Sequence, residues 1–151
     1  MELNNLDDLY RDAILDHRRS PRNHEVLDNP DASAKAVNPF CGDEVAVQIA
    51  FSEGLISQVG VQAVGCSINQ SSASMLSEAL IGKTADEIGQ LGEIFRNMMT
   101  GADPSPDDAA GMVDLQNLSG VRQYPVRIKC AMLSWSALED ALSEYRSVAT
   151  G

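Results

Sequence analysis

The sequence predicts an α+β fold in which a small antiparallel β-sheet packs against helices. Two neighbouring stretches between positions 45 and 64 alternate apolar and polar residues, as half-buried strands do, and Ser52-Glu53-Gly54 separates them as a turn. Apolar residues at three- and four-residue spacing predict helices before and after this strand pair. The 151 residues suit one domain, and no repeat, linker or low-complexity segment divides them. We therefore expect a single domain over residues 1–151.

The N-terminal region is predicted to hold one helix followed by a long loop. From Leu6 to Arg19 apolar residues recur at helical spacing, and Ser20-Pro21 stops the helix. Asn, Asp and Pro are frequent from Asn23 to Pro39, which is typical of a loop. Within this loop, Ser33 to Val37 is a candidate for a short edge strand.

The two central strands are predicted to form a hairpin. The first has apolar side chains at every second position: Val45, Val47, Ile49 and Phe51. The second spans positions 55–64 and is predicted to place four residues on one apolar face: Leu55, Val59, Val61 and Ala63. Asp43 precedes the first strand and Cys66 follows the second, so a hairpin brings both to its open end.

Two helices are predicted after the hairpin. Small and polar residues follow Cys66 and lead into an apolar segment that closes at Gly82, which is typical of a helix end. The sequence Thr84-Ala85-Asp86-Glu87 is a capping box, because Thr and Glu stand three residues apart. The helix that it opens has an apolar stripe and ends at Gly101.

The C-terminal part is predicted to be helical as well. Ser105 and Pro106 are suited to begin a short helix, and we expect one or two short helical turns over residues 107–123. Pro125 starts the last helix, which carries a long apolar stripe. Cys130 lies near the start of this helix.

Charge and hydropathy exclude several classes of protein. Eleven Lys and Arg against 22 Asp and Glu give a net charge of -11, which disfavours binding to nucleic acid or to anionic membranes. No apolar run is long enough to cross a bilayer, and the first residues do not resemble a signal peptide. We expect a cytoplasmic protein. The end of the first helix is basic and is interpreted as a solvated helix end or a docking patch: Arg18, Arg19 and Arg22.

The three cysteines are the candidate chemical groups. An odd number without a secretory context argues against a disulfide framework, which leaves buried core thiols, a metal site or a catalytic thiol. Cys41 and Asp43 flank a glycine, while Cys66 and Cys130 lie at helix starts, where the helix dipole favours thiolate. Three thiolates and a carboxylate complete a tetrahedral zinc site. No Cys-x-x-Cys pair is present, so spacing alone does not decide among these alternatives.

Six motifs resemble those of the U-type iron-sulfur cluster assembly family, which comprises SufU, IscU and the NifU N-terminal domain. They are Tyr10-Arg11 with Ile14-Leu15-Asp16-His17, Ser20-Pro21-Arg22-Asn23, Asn38-Pro39-Phe40-Cys41-Gly42-Asp43, Gly65-Cys66-Ser67-Ile68, Ser72-Ala73-Ser74-Met75 and Pro125-Val126-Arg127-Ile128-Lys129-Cys130. The similarity covers nearly the whole chain. It implies a SufU/IscU-like fold with a metal site at one end of the sheet.

Two features resemble the SufU branch of this family more than the scaffold branch. In scaffold proteins a histidine precedes the third cysteine, whereas this chain has Lys129. The segment from Gly101 to Tyr124 resembles an insertion of the SufU branch. The resemblance therefore implies zinc held by four ligands: Cys41, Asp43, Cys66 and Cys130.

The resemblance also implies a role in sulfur transfer. A SufS-type cysteine desulfurase, which uses pyridoxal phosphate, would dock and release Cys41 from the metal, and Cys41 would take the persulfide sulfur for downstream cluster-assembly proteins. Arg127 would steady the site or the docked partner, or be a helix-surface arginine. The chain would then be a sulfurtransferase-like carrier. The alternative is a scaffold that holds a transient iron-sulfur cluster on the three cysteines.

Overall fold

The structure is a computed structural model that describes residues 12–38 and 42–150. Residues 12–19 are helical and are called α1. Three strands follow: β1 (Ala32–Asn38), β2 (Asp43–Ser52) and β3 (Leu55–Val64). The C-terminal half contains α2 (Ser67–Leu80), α3 (Ala85–Met99), α4 (Pro106–Met112), a 3-10 helix (Val113–Gln123) and α5 (Pro125–Thr150).

The three strands form an antiparallel sheet in the order β1-β2-β3. At one end Asn38 pairs with Asp43, and Glu44 pairs with Val64. At the other end β2 and β3 are joined by a turn in which Glu53 and Gly54 both have positive φ. The predicted α+β fold, hairpin and edge strand are confirmed, and Asp43 and the residue after β3 lie at the same open end.

One prediction for β3 is wrong at its first residue. Leu55 is 43% exposed, whereas Ile56 is buried. The cause is a β-bulge between Ala50 and Phe51, because Ala50 pairs with Gln58 while Phe51 pairs with Ile56. The bulge leaves Ser57 as an extra residue in β3. The inward and outward positions of β3 are therefore exchanged before Ser57. Uniform alternation therefore predicts the wrong inward residue there.

The core lies between the sheet and two helices. Helix α5 packs on β1 and β2, and α2 packs on β3. The inward residues of β2 are fully buried: Val45, Val47 and Ile49. The predicted apolar stripe of α5 supplies the buried Trp135, Leu138 and Leu142. Burial of this apolar surface is the main stabilising contribution to the arrangement.

The helix boundaries follow the capping signals in the sequence. The Thr84 side chain accepts from the Glu87 backbone, and the Glu87 side chain accepts from the Thr84 backbone, so the predicted capping box is formed. Ser105 caps α4 by accepting a hydrogen bond from the backbone of Asp108 at 3.2 Å. Over 113–123 the chain forms a 3-10 helix where short helical turns were predicted.

The segment between α1 and β1 lies along the outer edge of β3. The Asn23 carbonyl accepts a hydrogen bond from the Val61 backbone at 2.8 Å, and the Gln62 side chain donates to the His24 carbonyl at 3.3 Å. These bonds cover part of an edge that would otherwise expose unpaired backbone groups. None of the helices in the described residues combines the length and apolar character of a membrane span.

Candidate metal centre

Three side chains meet at the open end of the hairpin. Asp43, Cys66 and Cys130 each offer one ligand atom, and these atoms lie within 4.8 Å of one another. Asp43 is the first residue of β2, and Cys66 is the N-cap of α2, directly after β3. Cys130 lies in the second turn of α5. A strand and two helices thus contribute one candidate ligand each.

Hydrogen bonds hold Asp43 and Cys66 together. The Cys66 backbone N–H donates to Asp43 Oδ1 at 3.0 Å, and the Cys66 thiol donates to Asp43 Oδ2 at 3.5 Å. Asp43 is 1% exposed, so its carboxylate depends on these partners for compensation of its lost hydration. One oxygen is engaged by the backbone, and the second faces the sulfur.

Gly65 allows this close approach. Its φ is +128°, and a Cβ added there would lie 1.9 Å from Asp43 Oδ1. A side chain at this position would overlap the carboxylate and would also be strained by the backbone conformation. Gly65 is therefore part of the construction of the site, although it carries no ligand atom.

The Cys66 sulfur is also positioned by its own helix. As N-cap of α2, it accepts a hydrogen bond from the Asn69 backbone N–H at 3.4 Å. The extended conformation of Cys66, with φ -70° and ψ 163°, is typical of an N-cap. The positive end of the helix dipole lies at this sulfur.

Cys130 is more deeply buried than Cys66. It is 5% exposed, and its thiol donates to the Val126 carbonyl at 3.9 Å. A hydrogen bond from the buried Ser72 hydroxyl to the Ala131 carbonyl, 2.7 Å long, joins α2 to α5 one residue beyond this cysteine. Packing of the two helices therefore brings the third ligand to the other two.

The ionisation of Cys130 differs from the expectation of a favoured thiolate. Burial, followed by the neighbouring Cys66 and Asp43 groups, raises the pKa of the Cys130 thiol well above its ordinary value. The helix dipole does not overcome these effects in the metal-free chain. A bound cation reverses the balance, since it stabilises the thiolate and neutralises the carboxylate directly.

The donor set and spacing fit a tetrahedral zinc ion. With Zn–S bonds near 2.3 Å and a Zn–O bond near 2.1 Å, a tetrahedron puts sulfur and oxygen about 3.6 Å apart. The distance between Cys66 Sγ and Asp43 Oδ2 is 3.5 Å. Two thiols and one carboxylate leave one of four positions for a further ligand.

The remaining predicted site residues are Cys41 and Arg127. Cys41 lies outside the described residues, so its predicted ligation stays a prediction. Arg127 is exposed in the first turn of α5, and Lys129 is exposed near it. Of the basic residues at the end of α1, Arg22 forms an ion pair with Asp16 at 2.6 Å.

Two buried polar residues, one in α2 and one that contacts it, were not predicted to lie in the core. Asn69 is fully buried beside Cys66. His17 is fully buried as well, and its Nδ1 lies 2.8 Å from the Ser74 hydroxyl. The run of small polar residues after Cys66 was a signal for such contacts, because a buried face of serine and asparagine must find hydrogen-bond partners.

The chain matches the family model of the NifU-like N terminal domain over residues 9–150. It belongs to this family. The predicted resemblance to the SufU, IscU and NifU group is thereby confirmed, and the match covers all three described ligand candidates.

Relatives in the family carry two kinds of name. The chain is 39% identical over 140 residues to the zinc-dependent sulfurtransferase SufU of Bacillus subtilis, covering 93% of each protein. It is 36% identical over 142 residues to the iron-sulfur cluster assembly scaffold protein IscU of Streptococcus pyogenes, covering 94% of this chain and 87% of that protein.

The fold is also found in solved structures. The crystal structure of FiSufU from Fervidobacterium islandicum AW-1 superimposes with a TM-score of 0.78 at 29% identity, covering 90% of this chain and 98% of that one. The N-terminal NifU-like protein of Brucella abortus superimposes with a TM-score of 0.82 at 25% identity, covering 93% and 96%.

Proposed function

We propose that this protein is a zinc-dependent sulfur acceptor in iron-sulfur cluster assembly. The observation that carries the proposal is the meeting of Asp43, Cys66 and Cys130 within 4.8 Å of one another, with Cys66 and Asp43 at a separation suited to tetrahedral zinc. The Bacillus subtilis relative, named a zinc-dependent sulfurtransferase, supports the same assignment. The proposed fourth ligand is Cys41, two residues before Asp43 in the sequence.

Within the proposal, the four ligands have different tasks. Bound zinc supplies charge that keeps nearby thiols in the thiolate form. Asp43 and Cys66 are hydrogen-bonded to each other and Cys130 is buried, so these three form the fixed part of the site. Cys41 is the proposed reactive group, as the resemblance to the SufU branch implies.

The sulfur-transfer step is a thiolate–persulfide exchange. The Cys41 thiolate attacks the outer sulfur of a persulfide on the desulfurase cysteine, forming a new S–S bond. The S–S bond of the partner's persulfide breaks, and its cysteine leaves as a thiolate. Cys41 then carries the persulfide, with no net oxidation or reduction. A lowered leaving-group pKa on the partner accelerates the step.

The proposed partner is a SufS-type cysteine desulfurase that uses pyridoxal phosphate, and cluster-assembly proteins receive the sulfur afterwards. Arg127 is the proposed contact to that partner or to the transferring group. It is exposed three residues before Cys130 on α5, so it shares one face of the helix with a ligand. We propose that the exchange takes place in the cytoplasm. We also propose that residues 1–151 form a single domain.

Metal content and desulfurase stimulation test the proposal together. Protein purified without added metal should contain about one zinc per chain, as expected for a single four-ligand site. It should also accelerate alanine release from cysteine by a SufS-type desulfurase. Cys41→Ala should abolish the acceleration, while Ser57→Ala, at the exposed turn end of β3, should retain it. Full stimulation by Cys41→Ala would show that the role given to Cys41 is wrong.

A cluster scaffold is the second candidate function. The name of the Streptococcus pyogenes relative favours it, since that protein is 36% identical and called a scaffold. Anaerobic reconstitution with iron and sulfide distinguishes the two functions. A stable cluster that passes to an acceptor apoprotein supports the scaffold, whereas zinc retention with a persulfide on Cys41 supports sulfur transfer.

A further inference from the structure

Asn69 makes three hydrogen bonds around the metal site. Its backbone N–H donates to Cys66 Sγ at 3.4 Å. Its side-chain Nδ2 donates to the Val64 carbonyl at 3.0 Å and to the Glu44 carbonyl at 3.3 Å. Asn69 is fully buried, so none of these bonds competes with bulk water.

The two carbonyls belong to paired residues on neighbouring strands. Glu44 is the register partner of Val64, at the end of the β2–β3 ladder. Glu44 directly follows the candidate ligand Asp43, and Val64 lies two residues before Cys66. One amide group therefore ties the strand that carries the carboxylate to the strand that leads into the cysteine.

The chemistry of the amide suits this position. A primary amide has two N–H donors on one nitrogen and carries no charge, so it can serve two carbonyl oxygens at once. A serine hydroxyl has a single donor, and an aspartate carboxylate would face both carbonyls as an acceptor. Among uncharged side chains of this length, asparagine is the one that bridges the two strands.

The Asn69 side chain also destabilises the fold in one respect. Its Oδ1 is buried and has no hydrogen-bond partner among the described residues. A buried acceptor without a partner is destabilising, and an apolar residue would fill core space without that cost. The bridge between the strand ends offsets this destabilisation if it fixes a separation that the metal site requires.

We propose that Asn69 is a positioning residue that sets the spacing of the metal ligands Asp43 and Cys66. The inference rests on the proposed zinc site. The backbone N–H orients the sulfur, and the side chain holds the strand ends so that carboxylate and thiol are already at coordinating distance before metal binds. Outer groups of this kind typically change metal affinity about 10- to 100-fold when they are removed.

Zinc competition against a chromophoric chelator tests this role. Asn69→Ala should weaken zinc binding about 10- to 100-fold. Cobalt(II) substituted for zinc reports ligand geometry through its visible absorption, which should change in the variant. Ser77→Ala is the control, because Ser77 is equally buried on α2 and bonds to Ser74 and Arg22. It should lower thermal stability and leave both metal readouts unchanged.

Asn69→Ser keeps the backbone bond to Cys66 and replaces the two side-chain donors with one, so it serves if the alanine variant does not fold. Unchanged zinc affinity and cobalt spectrum in the folded Asn69 variants would overturn the positioning role and leave the zinc site intact. Equal losses in the Ser77 control would also overturn it, since general destabilisation would then explain them. Failure of the unmutated protein to bind zinc would overturn the zinc site and this inference together.

Discussion

The two ends of the β2–β3 hairpin are stabilised by different kinds of interaction. At the turn end Phe51 stacks on Tyr145 of α5, with ring centroids 4.0 Å apart. At the open end the contacts are polar and directional, from Asp43 to the backbone and thiol of Cys66. Apolar contact tolerates small shifts, whereas a carboxylate buried beside two thiols does not.

This difference indicates where the fold would depend on the proposed metal. The turn end buries apolar surface whether or not a metal is present. The open end holds an acidic group and two thiols close together, an arrangement that a cation would stabilise. Without a cation, burial and then these neighbouring groups raise the pKa of Cys130. We therefore expect metal binding and folding to be coupled at the open end and independent at the turn end.

The largest effect is expected from Gly65→Ala. The added Cβ would overlap Asp43 Oδ1, and the φ of +128° is strained for alanine. We expect a loss of at least about 3 kcal/mol in unfolding free energy, together with loss of bound zinc. Urea unfolding and metal analysis measure both.

Gly54→Ala is the matched control at the turn end. Its φ is +81°, but an added Cβ would meet no atom within 4 Å. The expected loss is about 1 kcal/mol, and zinc content should not change. Equal effects of the two substitutions would contradict the role given to the contact between Gly65 and Asp43.

Raising the pH should destabilise the metal-free protein. Because the pKa of Cys130 is raised in the folded state, its thiol stays protonated after the unfolded chain ionises near pH 8.5. The folded state then binds more protons, so stability falls as pH rises, by up to about 1.4 kcal/mol per pH unit. Denaturant unfolding between pH 7 and 10.5 measures the slope.

Two comparisons isolate this titration. Cys130→Ser has a hydroxyl that does not ionise in this range, so the slope due to Cys130 should disappear. In zinc-loaded protein Cys130 would be bound as a thiolate, so the fall in stability should disappear above about pH 8.5 and be replaced by a rise with pH below it. Identical slopes for Cys130→Ser and the unmutated metal-free protein would assign the effect to other groups.

Phe51→Ala should weaken the turn end without affecting the metal. Removing a half-buried ring and its stacking on Tyr145 is expected to cost about 2 kcal/mol. Thermal unfolding of metal-free and zinc-loaded protein measures the loss, which should be the same in both. A clear fall in zinc stoichiometry would show that the two ends are not independent.

Arg127→Ala should have the smallest effect on the fold. The side chain is exposed, so stability should change by less than about 0.5 kcal/mol and zinc content should stay the same. Stimulation of the desulfurase should fall, because the proposed contact is made by this residue. Arg96→Ala, an exposed arginine on α3 paired with Glu139, is the control and should retain full stimulation. Full activity of Arg127→Ala would leave it as a helix-surface residue.

Much of the fold follows from local signals. The alternation of Val45, Val47 and Ile49 predicts β2, and the capping box at Thr84 predicts the start of α3. The bulge at Ala50/Phe51 was not predicted, because alternation carries no mark of an inserted residue. Local periodicity thus predicts elements well and their irregularities poorly.

The sequence by itself determined the donor atoms and the end of the hairpin at which two of them lie. A strand pair with Asp43 before it and Cys66 after it has one open end, whatever packs on the sheet. The resemblance of its motifs to a known family then selected zinc ligation by the three cysteines and Asp43 among the alternatives that spacing left open.

Tertiary structure alone decided how close the ligands are and what holds them there. Cys130 reaches Asp43 and Cys66 because α5 packs beside α2 across the sheet, a contact between distant parts of the chain. The need for glycine at Gly65 and the bridge from Asn69 to two strand ends arise in the same way. Sequence periodicity reports on residues that are close along the chain. Metal coordination depends on distances between residues that are far apart along it.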